Sequence, residues 1–201
     1  MKNKLLFTIK EFKKTAYHHY GHNILSIFKF IYYSGLRINT FIIYEKDLNE
    51  ELLSHNLDPD FKVITPTEEE LETFRKGLDL TREFYYDKVH GVKKCYLVFC
   101  KNEIAYIHWI YRKGDPNRFL ILGDGVAELN YNTTVPKFRG RGLMAKMILY
   151  IFHDLKKQGY KKAVGVIHEN NIPGVKSAER AGWCEIGRIK TIGPFNKKIK
   201  V

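Results

Sequence analysis

Residues 135–145 read Val135-Pro-Lys-Phe-Arg-Gly-Arg-Gly-Leu-Met-Ala145. They lie between a segment that reads as extended, residues 126–135, and an amphipathic pattern over about 142–157 that predicts a long helix. Glycine lets the backbone approach a ligand closely and adopt positive φ without steric cost. A helix start also presents unpaired N–H groups and a partial positive charge. The stretch therefore predicts a strand, a glycine loop and a helix start that bind an anion, with phosphate as the favoured ligand.

The predicted helix has one continuous apolar face. Its apolar residues recur at three- and four-residue intervals: Leu143, Met144, Met147, Ile148, Ile151, Phe152 and Leu155. Lys156 and Lys157 complement the dipole at its C-terminus, and Gly159 is placed to cap it.

The rest of the chain predicts alternating short elements. Thr65 is expected to cap a helix, with Pro66 in its first position and Glu68 completing a capping box. The other predicted elements are a strand over 39–45, a helix over 80–90, strands over 96–100, 104–111 and near 119–122, a strand over 162–167, a helix over 171–181 and a strand over 183–189.

Composition is that of a globular domain. The 201 residues are 44% hydrophobic and 28% charged, enough to bury a real core. Three cysteines form neither a CxxC pair nor a Cys/His cluster, which favours a reducing compartment. The apolar segments nearest the N-terminus are too short for a signal peptide or a bilayer span, so a cytoplasmic protein is expected.

Positive charge is concentrated at the two ends. The net charge is +12, and residues 1–44 hold seven Lys/Arg against one Glu, together with ten aromatic residues. This pattern fits a helical arm that packs on the domain or on a second subunit of a homodimer. It also fits a peripheral segment at the inner face of an anionic membrane. No nucleic-acid motif accompanies the charge, so no nucleic-acid partner is expected. We expect residues 1–36 to form a basic aromatic extension and 37–201 to form the domain.

Two motifs resemble the GNAT superfamily of acyl-CoA-dependent N-acyltransferases. The first runs from Glu128 through Pro136 to Arg139-Gly-Arg-Gly142, like that family's fourth strand and pyrophosphate loop. The second runs from Asn171 to the pair Gly182-Trp183, at that family's usual separation. The resemblance covers roughly residues 38–190. It implies an α+β fold whose mostly antiparallel twisted sheet is splayed at the CoA site and flanked by helices, here with an N-terminal basic helical extension.

The resemblance also implies acetyl-CoA as cofactor and assigns its binding residues. The strand edge would pair with the pantetheine arm, and the amides and arginines of the loop and helix start would take the pyrophosphate. Asn171 either supports the cofactor or caps its own helix. The residues assigned to the cofactor are Asn132, Thr133, Thr134, Val135, Arg139, Gly140, Arg141, Gly142, Leu143, Met144, Ala145 and Asn171.

Glu128 is the candidate general base. Many members of the resembled family place a carboxylate eight residues before the proline, and a partly desolvated carboxylate has its pKa raised toward the useful range. The family's frequent acid is a Tyr four residues before the Gly-aromatic pair, where this chain has Ala178. The adjacent Ser177 is the other candidate for the acid. The thiolate otherwise leaves unassisted.

The acceptor site is expected between the helices of 66–90 and the central strands. Its candidate lining residues are Tyr85, Tyr106, His108, Trp109 and Tyr131, which suit a sugar ring or another planar polar group. The histidines lack the spacing of a metal site, so no metal is expected.

The sequence thus predicts an acetyl-CoA-dependent N-acetyltransferase that transfers the acyl group directly to a small primary amine. An amino sugar or nucleotide-sugar of surface polysaccharide synthesis is the favoured acceptor. The alternatives are a protein Lys or N-terminal acetyltransferase, and a catalytically silent acyl-CoA-binding module at a membrane surface.

Overall fold

One eight-stranded sheet organises the molecule. The computed structural model describes residues 38–192, with 17, 21, 23–32 and 197–198. Most of the predicted 1–36 extension lies outside these residues, and its described helix is α1, Ile24–Ile31. The strands are β1 Asn39–Asp47, β2 Phe61–Ile64, β3 Lys94–Cys100, β4 Glu103–Tyr111, β5 Val126–Thr134, β6 Lys162–His168, β7 Cys184–Ile192 and β8 Lys197–Lys198.

The strand order is β2-β3-β4-β5-β6-β1-β7-β8, and every neighbouring pair is antiparallel except β5 with β6. The parallel pairing covers only Val126–Leu129 of β5, whose last partner is Gly165. Beyond these two residues β5 and β6 diverge. We call this opening the splay. The predicted fold class, a mostly antiparallel sheet splayed beside the loop of 139–142, is confirmed.

Helices cover both faces of the sheet. They are α2 Glu68–Arg75, α3 Tyr86–His90, α4 Leu143–Lys157 and α5 Ile172–Arg180, with 3₁₀ turns at Arg82–Tyr85 and Pro136–Phe138. The apolar side chains of α4, including Met147, Ile151 and Phe152, pack with Tyr96, Tyr106 and Trp183 in one core cluster. A second cluster on the other face joins Leu71, Phe84, Trp109 and Val164. The two faces meet at the splay.

A bulge in β5 lies beside the splay. His108 of β4 is paired with Asn132, but the next residue, Trp109, is paired with Asn130, so Tyr131 is the extra residue. Tyr131 has φ 48°, and its backbone N–H donates to the Asn130 side chain at 2.8 Å. The bulge re-aims the Tyr131 side chain relative to its neighbours.

Several predicted boundaries were right and two were wrong. Thr67, rather than Thr65, caps α2, because its hydroxyl accepts from the Glu70 amide and the Glu70 carboxylate accepts from the Thr67 amide. Both threonines precede a Glu by three residues, so the pattern alone did not separate them. The expected strand near 119–122 is absent. That segment is a loop in which the Leu120 amide donates to Asn117, and Phe119 packs on Phe41.

Candidate functional site

A cavity of about 240 Å³ occupies the splay and connects the two faces of the sheet. On the α4 and α5 side it is lined by His108, Leu129, Asn132, Met144, Ile148, Ala178 and Trp183. On the α3 side it is lined by Glu83, Tyr86, Asn130 and Tyr131, and it is completed by Val166, Ile167, His168 and Asn171. We call this the splay cavity.

The glycine loop leads into α4, whose first-turn residue Met144 lines the cavity. Gly140 and Gly142 have φ 78° and 66°, and no atom lies within 4 Å of where a Cβ would sit on either. Gly142 is the cap residue of α4 and supplies no side-chain hydrogen bond. The first-turn amides of this 15-residue helix are therefore open to an anion on the loop side.

The two loop arginines take different positions. The Arg139 Nε–H donates to the Thr134 carbonyl at 3.2 Å. Since the Val135 N–H of the same peptide plane donates to Ala105 of β4, the Thr134 carbonyl points away from β4 into the splay. Arg141 donates to Asp58 at 3.1 Å and lies 4.7 Å over the Phe61 ring. Arg139 therefore lies on the open strand edge, whereas Arg141 is held beside β2.

Glu128 lies on the α3 face of β5 and is fully buried. Burial raises the pKa of its carboxyl to about 7, against the lowering effect of hydrogen bonds from Asn130 and Asn117. Those donors stand at 2.7 and 2.5 Å, one on each carboxylate oxygen. The amide oxygens of the two asparagines accept from the Tyr131 and Leu120 amides, so both side chains are fixed as donors to Glu128.

The Glu128 side chain does not itself line the splay cavity, and Asn130 stands between them. A second carboxylate, Glu83, does line it and is buried at the 3₁₀ turn before α3. Sequence reasoning missed Glu83 because a single acid in a helical stretch is usually solvated. In the sequence Glu83 follows Arg82 and precedes Phe84 and Tyr85, and this order does not distinguish a buried acid from an exposed one.

The predicted acceptor residues separate into two groups. His108 and Tyr131 line the cavity, whereas Tyr85, Tyr106 and Trp109 do not. Trp109 is buried in the second cluster and donates to the Glu83 carbonyl at 2.7 Å. Tyr85 lies under the Arg75 guanidinium, 4.9 Å from ring centre to Cζ. These three aromatic side chains therefore belong to the packing around the cavity and not to its lining.

Tyr106 fixes the tautomer of His108. Burial lowers the pKa of His108 to about 3 and raises that of Tyr106 well above its ordinary value, so both groups are uncharged. The Tyr106 hydroxyl and His108 Nδ1 are 2.7 Å apart. A buried hydroxyl needs an acceptor, so Tyr106 donates to Nδ1 and the imidazole hydrogen stands on Nε2. Within the described chain, His108 Nε2 and Trp183 Nε1 are buried cavity nitrogens with no hydrogen-bond partner.

The second motif closes the cavity. The Asn171 side chain accepts from the Gly174 amide and so caps α5, and the same residue lines the cavity. Ala178 is fully buried and leaves no hydroxyl at this position. The Ser177 hydroxyl donates to the Pro173 carbonyl of its own helix at 2.7 Å, and Ser177 does not line the cavity.

Solved structures share this arrangement. A GCN5-related N-acetyltransferase from Sphaerobacter thermophilus matches with a TM-score of 0.55 at 12% identity, over 82% of this chain and 54% of that one. A putative acetyltransferase of the GNAT family from Novosphingobium aromaticivorans matches with a TM-score of 0.57 at 15% identity, over 78% and 64%. The chain has the GNAT fold.

Another match with the GNAT fold is the glucosamine N-acetyltransferase region of a fungal multi-domain β-N-acetylglucosaminidase. Its TM-score is 0.56 at 12% identity, over 84% of this chain and 23% of that one. The chain thus spans less than two thirds of the length of each of these structures. No protein-family model and no curated protein sequence matches it. The resemblance drawn from the two motifs is confirmed at the level of the fold.

Proposed function

We propose that the chain is an N-acetyltransferase that binds acetyl-CoA in the splay and transfers the acetyl group to a small primary amine. The observation that carries the proposal is the splay cavity itself. It is lined by Met144 in the first turn of α4 and by residues of both sheet faces, and Asn130 of its wall donates to a buried carboxylate whose pKa is raised to about 7. The GNAT fold and the residues at each end point to the same reaction.

The residues present fit a CoA group. An anion at the loop would meet backbone N–H groups, and Gly140 and Gly142 carry no side chain that would obstruct it. The edge of β5 from Asn132 to Thr134 faces away from its only strand partner at that level, β4. We place the amide groups of the pantetheine arm along this edge.

The chemistry requires one bond to form and one to break. The amine nitrogen bonds to the acetyl carbon, the carbon–sulfur bond breaks, the amine loses one proton and the departing sulfur gains one. CoA supplies the acetyl group as a thioester. Glu128 accepts the amine proton through a water in the cavity, since Asn130 separates its carboxylate from the cavity wall.

Although residue 178 is alanine and offers no hydroxyl, the cavity wall still contains hydrogen-bond donors. The side-chain N–H groups of His108 and Trp183 are buried, have no hydrogen-bond partner within the described residues, and belong to residues that line the same cavity. Neutral N–H donors stabilise developing negative charge on oxygen or sulfur without giving up a proton. The sulfur then takes its proton from solvent, as the ordinary thiol pKa near ~8.5 permits.

The function is tested by release of CoA thiol from acetyl-CoA in the presence of a panel of amines. Turnover that depends on an amine, with the acetylated amine found by mass spectrometry, is expected. If acetyl-CoA binds and no amine in a broad panel is acetylated, the chain is instead a silent acyl-CoA-binding module.

The charges of the surface favour a protein substrate less than a small amine. A groove beside α2 is lined by Glu68, Glu69, Glu72 and Asp87, but also by Lys76, Lys88 and Lys93. Asp87 is paired with Arg75 and Glu72 with Lys88. Because these acids are largely neutralised, the groove offers little charge to attract a lysine-rich substrate.

The loop glycines give a direct test of cofactor binding. Gly142→Ala is expected to weaken CoA binding about tenfold, because a side chain at positive φ strains the loop that faces the phosphates. Gly159→Ala is the matched control. It lies beyond the other end of α4, at φ 85° and also in open space. Both variants should lose about 1 kcal/mol of stability, since each places alanine in the left-handed region.

Calorimetric titration with CoA and thermal unfolding separate the two effects. Equal CoA affinity for the two variants would remove the loop of 139–142 from the cofactor site.

We further propose that the extension holds the protein at an anionic membrane surface. One face of α1 exposes Ile24, Leu25, Phe28, Ile31 and Tyr32, with Phe28 64% exposed. Lys29 lies within α1, and Lys13, Lys14 and Arg37 flank it in the sequence, a basic and aromatic combination typical of interfacial helices. In the described part of the chain no helix is long and apolar enough to cross a bilayer.

Co-sedimentation with anionic vesicles tests this contact. The double variant Leu25→Ser, Phe28→Ser should bind at least about tenfold less tightly, since each side chain contributes roughly 1.5–3 kcal/mol when buried. Ile121→Ser is the control, because Ile121 is also an exposed apolar residue and lies in the loop before β5. Equal pelleting of all three proteins would contradict membrane contact.

A further inference from the structure

The α3 side of the splay cavity is an aromatic shelf. Tyr86 meets Tyr131 edge-on with ring centres 4.7 Å apart, and His90 stacks on Tyr131 at 5.2 Å with an interplanar angle of 11°. Tyr86 and Tyr131 line the cavity. A planar or sugar-like group entering from this side would meet ring faces and edges.

Two arginines border this shelf. Arg82 stands at the 3₁₀ turn before α3, and Arg118 stands in the loop before β5. Both positive charges are near enough to act to lower the pKa values of Tyr86, His90 and Tyr131, and Arg118 also hydrogen-bonds the Tyr131 side chain. The Arg118 guanidinium carbon lies 4.8 Å from the Phe119 ring centre. We call Arg82 and Arg118 the arginine pair.

The arginine pair has no carboxylate partner within the described residues, unlike four other arginines there. Arg75 is paired with Asp87, Arg112 with Asp115, Arg141 with Asp58 and Arg188 with Glu185. Glu83 is the acid of the cavity wall near the pair, and it lies on the α3 side of the cavity, as Tyr86 and Tyr131 do. Two cations thus lie beside the ring-lined wall of the cavity, next to Tyr86 and Tyr131, although neither arginine itself lines the cavity.

This arrangement matches a molecule that is cationic or neutral at one end and anionic at the other. The amine would point inward to Glu83 and Glu128, and an anionic group would remain at the mouth. Guanidinium groups bind carboxylates and phosphates through paired N–H donors. We propose that the acceptor is a primary amine that also carries a carboxylate or phosphate group, held at the mouth by Arg82 and Arg118; this rests on the acetyl transfer proposed above.

The test compares amines that differ only in their anionic group. One arm uses glucosamine 6-phosphate against glucosamine, and the other uses an amino acid against its amide, so that the arms distinguish phosphate from carboxylate. In at least one arm, kcat/KM is expected to be about tenfold or more higher for the anionic member, in line with one charge-assisted hydrogen bond. The preference should fall as salt is raised, because the arginine pair is partly exposed.

Arg82→Gln and Arg118→Gln should each reduce this preference about tenfold, mainly through KM, with little change for the uncharged amine. Arg82→Lys, which keeps the charge, should retain part of the preference. Lys62→Gln removes the same unit of charge on β2, three strands from β5, and should leave the preference unchanged. Equal kcat/KM for charged and uncharged amines in both arms, or a preference that survives in both glutamine variants, would overturn the proposal.

Binding without turnover separates this proposal from the proposed function. Calorimetric titration with the same amines, without acetyl-CoA, reports the arginine pair directly. If no amine is acetylated but the anionic amines still bind in an arginine-dependent way, the proposed acetyl transfer is wrong and the proposed anion site is supported. If uncharged amines are acetylated and neither binding nor acetylation of any amine depends on the arginine pair, only the proposed anion site is wrong.

Discussion

Glu128→Gln is expected to lower kcat for acetyl transfer by about 10²–10³-fold, the usual contribution of a general base. Gln keeps the volume of the side chain but cannot accept the amine proton. Its amide nitrogen would also face one of the two asparagine donors that are fixed on the carboxylate. Steady-state thiol release at saturating amine measures the change, and thermal unfolding verifies that the variant is folded.

Glu83→Gln is the matched comparison, because Glu83 is also a buried carboxylate beside the cavity. It is expected to raise KM for the amine and to change kcat less than Glu128→Gln does. If Glu128→Gln keeps the wild-type kcat and Glu83→Gln loses it, then Glu83 is the general base instead.

The pH dependence provides an independent readout of the same group. A general base must be deprotonated, so kcat/KM should rise with pH and bend near 7, the pKa to which burial raises Glu128. Asn117→Ala removes a donor that favours the charged carboxylate and should move the bend to higher pH. A bend that stays in place in Asn117→Ala would separate the titrating group from Glu128.

Gly165→Ala is expected to be the most destabilising small change in the sheet, at about 3 kcal/mol or more. A Cβ on Gly165 would lie 2.0 Å from the Trp183 ring. That ring stacks on Phe152 at 5.5 Å and meets Tyr44 at 5.9 Å, so it has no free space into which to move. Urea unfolding followed by circular dichroism gives the free energy change.

Gly187→Ala is the control for Gly165→Ala, because Gly187 also lies in a strand and its nearest neighbour is Ile43 at 3.9 Å. It should cost far less. In a Trp183→Leu background the Gly165→Ala penalty should shrink, since the colliding ring is gone. An equal penalty with and without Trp183 would mean that the collision is not the cause.

Local patterns predicted most of the elements, but not the walls of the cavity. The regular apolar spacing of α4 is visible in the sequence because one helix face buries against one sheet. Arg82 and Arg118 are 36 residues apart along the chain, but packing brings both close to Tyr131 and places Glu83 in the cavity wall, which no local pattern encodes. The β2 strand was missed because it is four residues long and half exposed.

The same limit explains the aromatic assignments. A β-strand alternates its faces, so a run such as Tyr106 to Trp109 must place some rings in the core. The sequence did not show where the bulge at Tyr131 falls, and that bulge decides which β5 side chains reach the splay. His108 and Tyr131 reach the cavity, while Trp109 is turned to the opposite core cluster.

A crystal structure of the chain with CoA tests the central claim most directly. We predict the pyrophosphate on the amides of residues 140–145, the pantetheine arm along Asn132 to Val135, and the sulfur inside the splay cavity. CoA density elsewhere on the molecule, with the splay cavity empty, would contradict it.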